Sequence, residues 1–192
     1  MPLGWHGRFL GLVLRGYHVS ARSARDGTVP LKRRVETSLR EQVAKLLSWE
    51  DAHVSFDAAV ADLPAALRSM KPAGLPYSPW QLLEHLRITQ HDILDFCRNP
   101  AYSELTWPDD YWPRAAGPSS PTAWDDCVAQ FQRDRAQLQQ LAKDPAIELE
   151  ARIPHGSGQT YLRELLLAAD HAAYHIGELI VVRRLLGAWS KG

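Results

Sequence analysis

Residues Thr160 to Leu186 read T-Y-L-R-E-L-L-L-A-A-D-H-A-A-Y-H-I-G-E-L-I-V-V-R-R-L-L, the longest uninterrupted helical pattern in the chain. Two histidines, His171 and His175, sit inside it four residues apart. At about 100° per residue such a pair lies about 40° apart on one helix face and about one turn apart along the axis, so both imidazoles can reach one point. Glu164 lies seven residues before His171, and Glu178 seven after it, on the same stripe. Their neighbours on that side include the apolar Leu167, Ala168, Leu179, Val182 and Leu186. Imidazoles and carboxylates in an apolar helix face are costly to bury unless something binds them. A metal ion is one such partner; a carbonyl, a water or the other histidine is another. A metal would need a further ligand from elsewhere in the chain.

Working outward, the chain has 192 residues, of which 45% are apolar, enough for one domain with a substantial core. Lys+Arg and Asp+Glu balance at 22 each, which argues against a surface built to hold nucleic-acid backbone. Cys97 and Cys127 are single and far apart. They suggest neither a redox CxxC nor a disulfide framework, and a cytoplasmic location fits reduced thiols. No apolar run is expected to approach the length of a membrane span. Residues 1–30 hold four arginines, one acid and no clear periodicity, and are expected to form a disordered extension. Phe9 to Leu14 is too short, and too soon followed by Arg15, to read as the core of a secretory signal. The domain is therefore expected over 31–189.

From Leu31 to about Ala66, apolar residues including Val35, Leu39, Val43, Leu47, Val54, Val60 and Leu63 recur at mostly three- and four-residue steps and predict a first helix. Glu50, His53 and Asp57 would share one side of it, either as a solvated face or with His53 reaching a pocket. Pro64 and the run K-P-A-G-L-P-Y-S-P, 71–79, break the pattern. Ser78 followed by Pro79 is a helix start, predicting a second helix to about Arg98. On its wheel Leu82, Leu86, Ile93 and Phe96 mark the buried arc, and His85 lies at the edge of that arc, in line with Thr89 and Asp92. His91 is turned away. Alone, His85 reads equally as a hydrogen-bonded core histidine.

Asn99 to Pro121 is a long irregular connection dense in aromatics, including Trp107, Tyr111 and Trp112. Its rings are expected to cover one end of the bundle, or to wall a pocket with Trp107 and Trp112. A third helix follows from about Thr122 to Lys143, then a short alternating edge strand over 146–153 and a turn at P-H-G-S-G, 154–158. Thr160 caps the last helix, which is expected to end near Gly187. Four helical segments without strand-helix alternation predict an all-α four-helix bundle. In it, His85, His171 and His175 would form a three-histidine site with open positions, the count of a catalytic metal centre.

The motifs S-P-W-Q-L-L-E-H-L-R (78–87), W-P-D-D-Y-W-P (107–113), P-H-G-S-G-Q-T (154–160) and D-H-A-A-Y-H-I-G-E-L (170–179) resemble, in this order, the DinB/YfiT-like superfamily. The resemblance spans roughly residues 31–189. It implies a four-helix bundle, often a homodimer, whose metal histidines match His85, His171 and His175 and hold a divalent ion such as nickel or zinc. It further implies a small-molecule substrate, with hydrolysis or transfer of a low-molecular-weight thiol as the reactions to expect. A non-catalytic metal- or ligand-binding bundle with a stress role is the alternative. Three neutral imidazoles would leave the ion its full double charge, lowering the pKa of a bound water or thiol. Glu178 is then the candidate general base, or the carboxylate that orients an imidazole. Gly177 is expected to permit close helix approach, and Asp170 to point elsewhere.

Overall fold

The computed structural model describes residues 31–189; the expected disordered extension at 1–30 lies outside them. Five α-helices follow in order: α1 (Leu31–Leu46), α2 (Phe56–Val60), α3 (Pro79–Arg98), α4 (Ala123–Lys143) and α5 (Tyr161–Leu185), with one 3₁₀ turn at Ala65–Leu67. Among the described residues there is no strand, and the four long helices form the bundle. α3 is the hub, packed against both α4 and α5, while α1 lies mainly on α4 and α2 on α5.

Local chemistry sets the boundaries of the central helices. Ser78 and Gln81 make a reciprocal capping box at the start of α3: the serine hydroxyl accepts from the Gln81 amide, and the Gln81 side chain accepts from the Ser78 amide. Thr160 caps α5 by accepting from the Arg163 amide, and Gly187, at φ +69°, takes the left-handed conformation that ends it.

The single first helix is corrected. α1 stops at Leu46, and a new, short helix begins at Phe56 under the Ser55 cap. The capping hydroxyl and Asp57 in the first turn outweigh the three- and four-residue spacing that ran through Val54. Val35 and Leu39 are exposed, and the buried face of α1 begins only at Arg40 and Val43. The edge strand over 146–153 is also absent. That stretch folds back on the start of α5 through one isolated bridge, Arg152 with Thr160, and buries Leu149 and Ile153. By length and composition α5 does reach the range of a membrane span, against expectation. One face of it is spent inside the bundle, where Leu165, Leu179 and Val182 are fully buried, while Leu166, Tyr174, Val181 and Leu185 are exposed.

Two apolar clusters fill the bundle. One gathers Phe56, Leu82, Leu86, Phe131, Ile176 and Leu179; the other gathers Val43, Ile93, Leu138, Leu141, Leu165 and Ala168. On α3 the change from one to the other falls between Leu86 and Ile93, and on α5 between Ala169 and Ala172. Thr89 and Gln90 of α3 and His171 of α5 lie at that seam.

Candidate metal centre

Facing positions on α3 and α5 bring His85, His171 and His175 together, with one ligand atom of each within 4.8 Å of the others. The Nε2 atoms of His85 and His175 are 3.2 Å apart, and those of His171 and His85 are 3.1 Å apart. What lies behind each ring decides how these nitrogens can be used. His85 Nδ1–H donates to the Tyr111 carbonyl at 2.8 Å. His175 Nδ1–H donates to the Glu178 carboxylate at 2.7 Å. His171 Nδ1 meets Thr89 Oγ1 at 3.2 Å, and that hydroxyl donates its own hydrogen to the His85 carbonyl at 2.8 Å, so it accepts from the imidazole.

The network therefore places a proton on Nδ1 of each ring, and in the neutral form of the rings three Nε2 lone pairs converge. Burial, with repulsion from His175, holds His85 down at about 4 despite the favourable Tyr111 carbonyl. Burial and the two neighbouring imidazoles hold His171 down at about 3. Both rings are thus neutral at physiological pH, the state in which imidazole binds a metal. Lone pairs facing one another about 3 Å apart have no donor between them and repel. A cation removes that repulsion. Nitrogens at the usual distance of about 2.0–2.1 Å from one ion lie about 2.9–3.4 Å from each other, which the two spacings from His85 match. The residues present fit a divalent metal.

Each predicted site residue has a definite place. Glu178 stands behind His175 as the carboxylate that orients it. Trp112 lies flat on the His85 ring, with centroids 3.8 Å apart, and stacks on Tyr77 on its other side. Trp107 is 68% exposed, tilted against Tyr111, and does not join the histidines. His53 is exposed in the turn before α2, bonded to the carbonyl of its neighbour Val54 and beside a small cavity edged by Trp49, Phe56 and Phe131. The break in the first helix moved it there with Glu50, and put Asp57 in the first turn of α2. Glu164 is buried and paired with Arg163, not with the histidines. His91 pairs with Asp134, and Asp170 is exposed. At Gly177 an added Cβ would meet nothing within 4 Å, so close helix approach is not its role.

Sequence reasoning passed over Thr89 and Asp92 as partners, although both had been placed in line with His85. Tyr111 was invisible as a ligand support, because it acts through its carbonyl. Two clefts flank the centre without including any of its three histidines. One, of about 400 Å³, is polar and lined by Asp92, Tyr102, Tyr111, His155 and Arg163. The other, of about 380 Å³, is apolar and runs along Leu75, Tyr77, Gly177 and Val181 to Glu178.

A family model for the DinB superfamily matches residues 48–179, about two thirds of the chain and all three histidines. The chain belongs to the DinB superfamily. The match begins after α1, so membership rests on α2 to α5, the part that builds the histidine cluster. No curated protein and no solved structure matches the chain. For this DinB superfamily member, fold and family are shown, and the three-histidine cluster fits a metal-binding helical protein.

Proposed function

We propose that the protein is a cytoplasmic, metal-dependent enzyme acting on a small molecule, by hydrolysis or by transfer of a low-molecular-weight thiol. The observation that carries this reading is the convergence of three Nε2 lone pairs, each fixed from behind by a different acceptor. Three protein ligands leave coordination positions free for substrate, as catalytic sites do and structural sites do not. When bound there, a divalent ion such as zinc or nickel supplies the Lewis acidity that makes a water or a thiol nucleophilic near neutral pH.

The chain's own residues would do the rest. Glu178 holds the His175 proton on Nδ1 and is placed to strengthen that imidazole as a donor. Trp112 and Tyr77 form an aromatic wall that shields His85 from solvent. A homodimer, expected from the resemblance, belongs to the same proposal and is measured by sedimentation.

The deciding experiment is elemental analysis of the tag-free protein beside the His171→Ala/His175→Ala double variant. The expected outcome is about one equivalent of metal in the native protein and none in the folded variant. If the native protein takes up no ion even after incubation with nickel or zinc, the histidines are structural and the enzyme reading falls. An ion lacking any exchangeable water would favour storage or sensing over catalysis.

A further inference from the structure

His85 is held from two directions by one loop. Its Nδ1–H donates to the Tyr111 carbonyl, and its ring lies on Trp112. Both residues belong to the segment between α3 and α4, so this ligand is only as well oriented as that segment is fixed. Other anchors tie the segment further along. Ser78 Oγ donates to the Ala116 carbonyl, Gln81 Nε2 donates to the Pro113 carbonyl, and Gly117 passes so close to Ser69 that a Cβ there would lie 2.7 Å from the serine Cβ. At Tyr111 itself the anchor is Asp92, about two turns along α3 from His85. The Tyr111 hydroxyl donates to one oxygen of Asp92 at 2.8 Å, and the Tyr102 hydroxyl donates to the other at 2.9 Å.

These bonds close a circuit. It runs along α3 from His85 to Asp92, across the carboxylate to the Tyr111 hydroxyl, through that side chain to its carbonyl, and back to the His85 ring. Removing one hydroxyl opens the circuit, yet leaves every ligand, the carbonyl and the aromatic stack in place. Tyr102 is an internal comparison. It uses the same carboxylate, but its hydrogen bonds do not reach His85.

We propose that the Tyr111 hydroxyl and Asp92 are positioning groups for the metal centre, setting its affinity by holding the Tyr111 carbonyl on His85 Nδ1. The proposal rests on the reading of the three histidines as a metal site. It gives the Asp92–Tyr111 pair a role that its position on the wall of the polar cleft would not suggest.

The test measures zinc affinity of the full chain by competition with a chromophoric chelator, at a temperature well below the thermal midpoint of each variant. Tyr111→Phe is expected to weaken zinc binding about tenfold, the lower end for groups that orient a ligand, and to change the visible spectrum of the cobalt-loaded protein. Tyr102→Phe is expected to change affinity less than about threefold and to leave the spectrum alone. Asp92→Ala opens the same circuit from the other side and serves if Tyr111→Phe does not fold. Equal affinities in the Tyr111 and Tyr102 variants, whether both unchanged or both reduced, would overturn the proposal while the metal site stands. Absence of zinc binding in the native chain would instead remove the metal reading, and this inference with it.

Discussion

Arg40 and His85 are both almost wholly buried, at 7% and 1% exposure, yet their surroundings are finished differently. Arg40, on α1, donates to the Ala142, Asp144 and Ile147 carbonyls and, through Nε and Nη2, to Glu36. All five guanidinium N–H groups find an acceptor, and the last carbonyls of α4 find the donor that a helix end lacks. Nothing is left for a ligand to do. Around His85 the Nδ1 protons of three imidazoles are matched just as carefully, but their three Nε2 acceptors face only one another. A buried polar group completed by its own fold holds the structure together, whereas one completed on every side but a shared centre marks a place for something else.

The comparison can be broken by exchanging the consequences of mutation at the two places. Arg40→Ala strips three carbonyls, those of Ala142 and Asp144 at the end of α4 and of Ile147 in the turn beyond it, and should cost about 3 kcal/mol of stability, measured by urea unfolding. Its metal content per folded chain should stay as in the native protein; a matching loss of metal would mean the two regions are not independent. Glu178→Gln keeps an oxygen for the His175 proton but removes the charge, and should weaken metal binding about 10- to 100-fold with little change in unfolding of the metal-free protein. Unchanged affinity would show that Glu178 does not tune the centre. The smallest effect sharpens the contrast from the neighbouring position. Gly177→Ala fills open space in mid-helix and should stabilise the chain by up to about 1 kcal/mol while leaving zinc affinity alone. Destabilisation there would reveal a packing demand that the free surface does not display.

Much of this organisation was readable beforehand, for reasons that can be assigned residue by residue. Ser78-Pro79 and Thr160 announce their helices because a cap is local chemistry, written within four residues. Once α3 and α5 are placed, the wheel brings His85, His171 and His175 to the inside with no tertiary information. The first helix misled because its apolar spacing continued across Val54, while the decisive feature, the Ser55 hydroxyl on the Ala58 amide, is one small residue in a periodic run. His53 went astray with it. Trp107 and Trp112 were equivalent as letters, and only the path of the connection puts one on a ligand ring and the other in solvent. Tyr111 supports His85 through an atom that every residue carries, so no residue-type pattern could have marked it.

The stack of Trp112 on His85 makes the protein its own indicator. An indole 3.8 Å from an imidazole, centroid to centroid, responds to the electron density of that ring, which falls when the far nitrogen binds a cation. Among the described residues this is the only tryptophan stacked face to face on one of the three histidines. Its emission, isolated as the difference between the native protein and a Trp112→Phe variant, would report occupancy in real time, without a dye, a tag or a substrate. The search for the natural ion, and later for molecules that approach it, can therefore begin with light that the chain emits by itself.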